Sequence, residues 1–390
     1  MSAFGPTPPP GHIPTFTSPP LVSASAIPCD FPSPPPSSSI LACQLTSWYK
    51  NFKAHTIKSK TIGPLPPEFI RYLLSDGVFL PNDGKSTTTT LSDEENEPTS
   101  SSSKDSDPQP QPQQQQQQQY SFPELTATIR AHTKQLGGYV LPKLNWSAPK
   151  DSTWINMSTL KCSSPNDIYT LLKSSDFIAH DLSFAFEDCT DKEVPAMYAD
   201  DKENFPFFLT LRKWSNAMHS SQEFRCFVVE SKLVAISQRN TDEYFAFLAT
   251  SESEQDRIVG LVGDFYEDVV KGAFLLENFV MDVYVDSKVD RVYVVDFNVF
   301  GKQTDGLLFS WGDVRQLREN MRGGVQGGDD DDEPEIRVVE GENKVRVDTL
   351  SSYKAPLDTI GLAGDGGFDD FMKMCVKPSD MDEATSDSDS

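Results

Sequence analysis

Phe279-Val-Met-Asp-Val-Tyr-Val285 and Arg291-Val-Tyr-Val-Val-Asp-Phe-Asn298 are two runs rich in Val, Tyr and Phe, split by the polar stretch Asp286-Ser-Lys-Val-Asp290. β-Branched and aromatic residues on both sides of a short polar break read as two antiparallel strands and their turn. Side chains alternate faces along a strand, so Asp296 and Asn298 point the same way. Asp282 lies on the partner strand, and a suitable register brings it beside Asp296. Two carboxylates and an amide then share one patch. That set suits Mg2+, a hard ion that takes oxygen ligands at roughly 2.1 Å and keeps waters or phosphates as well. The competing reading is a hairpin with a solvated acidic face, because like charges held close repel unless a cation relieves them.

The rest of the chain weighs on that choice. Of 390 residues, 34 are basic and 58 acidic, a formal net charge of −24. Such a balance argues against nucleic acid or an anionic membrane as partner, and suits a basic protein or a phosphate ligand in a local basic pocket. Cys29, Cys43, Cys162, Cys189, Cys226 and Cys375 contain no C-x-x-C pair. With no signal-like start and no apolar run of membrane-spanning length, they imply reduced thiols, a cytoplasmic location and no membrane. A monomer is expected. The five histidines show no metal-ligand spacing with one another or with cysteine, which argues against zinc.

Composition divides the chain. Residues 1–40 form a Pro/Ser-rich arm expected to be disordered, and 41–81 carry the first part of the core. Residues 82–120 are a Ser, acidic and Gln insert that cannot bury enough apolar area to order itself. A core over 121–322 follows, then an acidic Gly/Asp linker over 323–335, a C-terminal extension of the core over 336–378 and an acidic tail over 379–390. Helices are expected over Leu45 to Phe52, from Pro66 to Leu74, Phe122 to Leu136, Ser164 to Lys173, Ser253 to Val270, and Trp311 to about Met321. Strands are expected over Thr56 to Ile62, Tyr139 to Leu144, Phe207 to Trp214, Ile336 to Val339 and Lys344 to Val347. A second hairpin joins Glu223–Val229 to Lys232–Arg239 through Glu230-Ser231. Helices and hairpins in this order give an α+β fold rather than a doubly wound parallel sheet.

Cations fall where solvent-facing charge is not the default. Lys143 ends one strand, Arg212 and Lys213 end another, and Arg225 and Arg239 lie within the second hairpin. Arg recognises phosphate bidentately and Lys supplies a compact charge. Trp214 or a neighbouring aromatic is a candidate to lie against a base. Each cation alone reads as a surface salt bridge; together with Asp282, Asp296 and Asn298 they point to a nucleotide-phosphate cleft. Neither G-x-x-x-x-G-K-[ST] nor G-x-G-x-x-G occurs at a strand–helix junction, which excludes the P-loop and the dinucleotide fingerprint.

Pro142-Lys-Leu-Asn-Trp-Ser-Ala-Pro-Lys-Asp151, Leu211-Arg-Lys-Trp214, Glu223-Phe-Arg-Cys-Phe227, Ile236-Ser-Gln-Arg239 and Asp296-Phe-Asn298, with the earlier Trp48-Tyr49, Phe52 and Thr56-Ile-Lys58, resemble the eukaryotic cell division cycle protein 123 family. The resemblance runs from about Cys43 to Trp311. It implies an ATP-grasp-like fold with two α+β lobes, 121–211 and 215–322, hinged near 212–214 and holding ATP and Mg2+ between them. It implies an assembly chaperone that binds the gamma subunit of eukaryotic translation initiation factor two, promotes assembly of the heterotrimer and so supports translation initiation and cell-cycle progression. By the same resemblance Lys143 contacts phosphate, and Asn145, Trp146 and Ala148 belong to a nucleotide-covering loop. Arg212, Lys213 and Trp214 form the hinge near the adenine, Arg225 and Arg239 line the second lobe, and Asp282, Asp296 and Asn298 hold the metal. The family has Pro after the D-x-N asparagine where this chain has Val299. An alternative is a ligase that activates a carboxylate as an acyl phosphate; a further one is an acidic scaffold that binds no nucleotide.

Overall fold

A computed structural model describes residues 32–81, 120–191, 198, 205–323 and 333–346. The class is α+β, built on two sheets. The three-stranded sheet comprises β1 (Ser59–Ile62), β2 (Val140–Lys143) and β3 (Leu209–Lys213), with β3 central and antiparallel to both neighbours. The five-stranded sheet is built from β4 (Glu223–Val229), β5 (Lys232–Gln238), β6 (Phe279–Asp286), β7 (Arg291–Val299) and β8 (Glu335–Arg337). Its spatial order is β7-β6-β4-β5-β8. Both expected hairpins are present. Glu230 and Ser231 take positive φ of 50° and 58°, the backbone that a two-residue turn needs to match strand twist.

The helices are α1 (Ser37–Ala42), α2 (Leu45–Trp48), α3 (Pro67–Leu74), α4 (Pro123–Gln135), α5 (Pro165–Lys173), α6 (Asp176–Ser183), α7 (Ala246–Ala249), α8 (Glu252–Phe265) and α9 (Trp311–Gly323). Local chemistry explains several starts. Pro opens α3, α4 and α5, where its missing N–H costs nothing. Ser164 and Asp167 form a reciprocal capping box on α5, and Ser251 caps α8.

Some expectations need correction. The Pro/Ser arm is not uniformly without structure: Ser37–Ala42 is helical, and Asp191 accepts hydrogen bonds from both the backbone N–H and the hydroxyl of Ser37. The strand expected over Lys344 to Val347 is not formed among the described residues: Glu342–Lys344 is a 3-10 turn, Arg346 N donates to the Thr241 carbonyl, and Val347 lies outside the described residues. The first helix is short, with turns following Trp48, and α8 passes into a π-helical turn over Tyr266–Val270. Residues 1–31, the insert over 82–119, residues 192–197 and 199–204, the acidic stretch 324–332, the expected C-terminal extension from 347 to 378 and the tail lie outside the described residues.

The two faces of the large sheet differ. Phe279, Met281, Val283 and Phe297 enter the main core with Trp48, Phe52 and Phe274, where Phe274 stacks on Phe297 at 4.0 Å between ring centroids. On the other face Phe227, Val234, Ala235 and Val280 pack beneath Phe309, Trp311 and Val314 of the α9 region. That apolar cover stops short of Arg225, Asp282 and Asp296.

Candidate functional site

The register of the large sheet builds a charged row. Arg225 of β4 stands opposite Ser237 of β5 on one side and Asp282 of β6 on the other, and Asp282 stands opposite Asp296 of β7. Directly paired residues share a face, so the row is a single strip across four strands. A bulge lies beside it: Val283 pairs with Val294 and Asp282 with Asp296, so the ladder skips Val295. The Val295 carbonyl accepts from Arg212 Nη1 at 2.8 Å, which ties β7 to the smaller sheet.

Within the row the charges are matched. Arg225 binds Asp282 with both ends of its fork, at 2.7 and 2.8 Å, and donates its remaining Nη1 to the Asp305 carbonyl at 2.7 Å. Arg239 Nε and Asn298 Nδ2 each lie 3.4 Å from Asp282 Oδ2. Burial alone pushes the Asp282 carboxyl up; Arg225 and then Arg239 outweigh it and hold the group well below the usual carboxylate range. From the smaller sheet, Lys143 places Nζ 2.6 Å from Asp296 Oδ2 and also donates to the Trp146 carbonyl. Two buried polar atoms here have no partner among the described residues: Asp296 Oδ1 and Arg212 Nε.

The loop after β2 is gripped by α6. Asp181, buried on that helix, accepts from Ser147 N and Ser147 Oγ, both at 2.8 Å, and from Trp146 N at 3.4 Å. Its burial pushes the carboxyl up to about 6, against the pull of the Ser147 hydrogen bonds. Further along, Asp151 accepts from Ser175 Oγ and from the Asp176 and Phe177 N–H groups at the start of α6. Between these anchors stands Lys150. It is exposed, yet Arg239, Glu223, Asp282 and Asp296 all act on it, which places it beside the charged row. Repulsion from Arg239, and then partial desolvation, lower its pKa to about 8.

The expected site residues therefore do not all take equivalent places. Lys143, Arg225, Arg239, Asp282, Asp296 and Asn298 converge, with Arg212 buried beneath them. Asn145 spends both ends of its amide on the backbone at Pro206 and Phe208, and Trp146 donates its indole N–H to Ile40 O while stacking on Phe205. Both hold the loop in place. Ala148 accepts from Lys150 N at 2.7 Å and so shapes the turn that presents Lys150. Lys213 is exposed at the end of β3, and Trp214 hydrogen-bonds Asn216 at 2.7 Å. Lys150 and Asp181 were not singled out from sequence. A loop lysine in an acidic chain reads as solvated, and the helix carrying Asp181 follows α5 with no breaker between them.

The donor set fits Mg2+ in kind. Asp296 Oδ1 is a buried, unsatisfied acceptor, with an amide and a second carboxylate on the same strip. Among the described residues no group of three or more His, Cys, Asp or Glu forms a ready cage. A half-set of this kind suits an ion that brings waters or phosphate oxygens of its own.

Two sheets meet over opposed charges in an α+β protein, with Lys143 and Arg212 of the smaller sheet reaching Asp296 and the Val295 carbonyl of the larger one. A sequence profile for the family described as D123 matches residues 48–363, and the chain belongs to that family. It is similar to a translation initiation factor eIF2 assembly protein of Danio rerio, 39% identical over 86% of this chain and 93% of that one. A Kluyveromyces lactis protein of the same description is 37% identical over 91% of this chain and 96% of that one. The solved structure of Cdc123 from Schizosaccharomyces pombe is 34% identical with a TM-score of 0.58, covering 78% of this chain and 97% of that one. Among the described residues no helix is long and apolar enough to cross a membrane.

Proposed function

We propose that this chain is an ATP- and Mg2+-binding chaperone that binds the gamma subunit of eukaryotic translation initiation factor two and promotes assembly of the heterotrimer in the cytoplasm. The observation that carries the reading is its similarity, over most of its length, to proteins described as assembly proteins of that factor. The charged row is its physical counterpart. Lys143, Lys150 and Arg239 would offer a polyphosphate three cations along one strip, with Arg225 beside them fixed on Asp282 and the Asp305 carbonyl. Asp296, Asn298 and Asp282 would hold the ion, which when bound neutralises phosphate charge. Asp181 and Asp151 fix the loop that carries Lys150 and the Trp146 carbonyl. Closing the cleft around a triphosphate would draw the two sheets together and present one surface to the partner.

The test is reconstitution of the heterotrimer from separately purified subunits. Added protein with MgATP raises the yield of trimer, and the Asp296→Ala variant does not. Equal yields with and without the wild-type protein would refute the chaperone reading.

A further inference from the structure

The charges of the row are already spent on one another. Asp282 is bound by a bidentate guanidinium that is itself held by the Asp305 carbonyl. Asp296, by contrast, is held by Lys143 through one oxygen, while its other oxygen has no partner. The row thus has a fixed pair and a releasable one. Lys143 ends in a compact ammonium on a flexible four-carbon stem, whereas the Arg225 fork is rigid and satisfied on three sides.

An ion arriving alone at Asp296 Oδ1 meets the Lys143 ammonium, which lies 2.6 Å from the other oxygen of the same carboxylate on a residue only 3% exposed, with no anion to offset the repulsion. A triphosphate arriving alone must draw Lys143 away, leaving the Asp296 carboxylate facing phosphate charge. When both arrive, each charge finds a partner: the lysine meets phosphate and the carboxylate meets the metal. We propose that the Lys143–Asp296 pair is a lock on the metal position, closed to divalent ions until a phosphate withdraws Lys143. This deepens the nucleotide-site reading above and rests on it. If the pair were only a staple between β2 and β7, its loss would weaken every ligand together; a lock gives effects of opposite sign.

The experiment uses the full chain and Mn2+ as the probe, followed by the loss of its free electron paramagnetic resonance signal, without nucleotide. Lys143→Met binds Mn2+ more tightly than wild type, by roughly tenfold or more, while its affinity for MgATP falls. In the reciprocal arm, with EDTA present, Asp296→Asn binds ATP roughly tenfold more tightly than wild type does. Circular dichroism melts establish that the variants are folded; if Lys143→Met does not fold, the Asp296→Asn arm decides alone. Mn2+ affinity unchanged or weakened in Lys143→Met, or ATP affinity without metal unchanged or weakened in Asp296→Asn, overturns the lock. A separate titration of wild type with MgATP judges the nucleotide reading: no binding there, with Mn2+ still gained by Lys143→Met, would remove the nucleotide and leave the lysine block.

Discussion

One face of the large sheet is used in two ways. In its apolar half, Phe227 meets the rings of Phe309 and Trp311 edge-on at 5.8 Å each, and is fully buried. Two residues earlier on the same strand and face, Arg225 is almost as buried, at 5% exposure, but binds a carboxylate. Burial is comparable, and the origin of the energy is not. In the apolar half, stability grows with each atom taken from water and each void filled. In the charged half two large desolvation costs are offset by one interaction, so the pair stands or falls together.

The sharpest way to break that contrast is substitution with attempted rescue. Phe227→Ala is expected to cost about 3–5 kcal/mol in urea unfolding, with no single second change restoring it. Arg225→Met should cost about 3 kcal/mol, because it leaves Asp282 buried against the more distant Arg239 and Asn298; adding Asp282→Leu should recover most of that loss. Failure of the double variant to recover would mean that the row is packed as rigidly as the apolar half.

A smaller effect is expected at Asp181. Its folded pKa of about 6 lies above the ordinary 3.8, so the folded state binds the proton more tightly than the unfolded chain. Its contribution to stability is therefore fully present below about pH 4 and falls as pH rises through about 6, by no more than about 3 kcal/mol. Subtracting the Asp181→Asn urea midpoints from those of wild type between about pH 4 and 7 should isolate this slope. A difference independent of pH would mean that Asp181 stays ionised.

Smallest is the effect at Lys150. With its pKa lowered to about 8, it loses charge as pH rises through that value. The affinity for MgATP should then weaken severalfold between about pH 7 and 9, and Lys150→Arg, which stays charged, should remove that dependence. Parallel pH profiles for the two proteins would take Lys150 out of the proposed phosphate site.

The two halves also differ in how legible they were in the sequence. Alternation of Val, Tyr and Phe exposed both hairpins, and two-residue periodicity put Asp296 and Asn298 on one face, because strand geometry is local. The strand order β7-β6-β4-β5-β8 was not legible, since it brings together segments more than fifty residues apart. Nor did the sequence reveal that Arg225 would stand opposite Asp282. An Arg within a strand signals burial of charge, but only register names the partner. Trp146 illustrates the opposite difficulty. Its place in the loop after β2 was readable, whereas its bond to the Ile40 carbonyl depends on α1, which the proline-rich composition concealed.

The strand β8 lies parallel to β5 and covers its outer edge, with Ile236 beside Ile336. A chain ending at Gly323 would retain every residue of the charged strip but leave the backbone donors and acceptors along that border of β5 open to other molecules. Truncations there would confound two defects, self-association of the bare edge and loss of whatever the removed segment does. Point changes within β8 keep them apart.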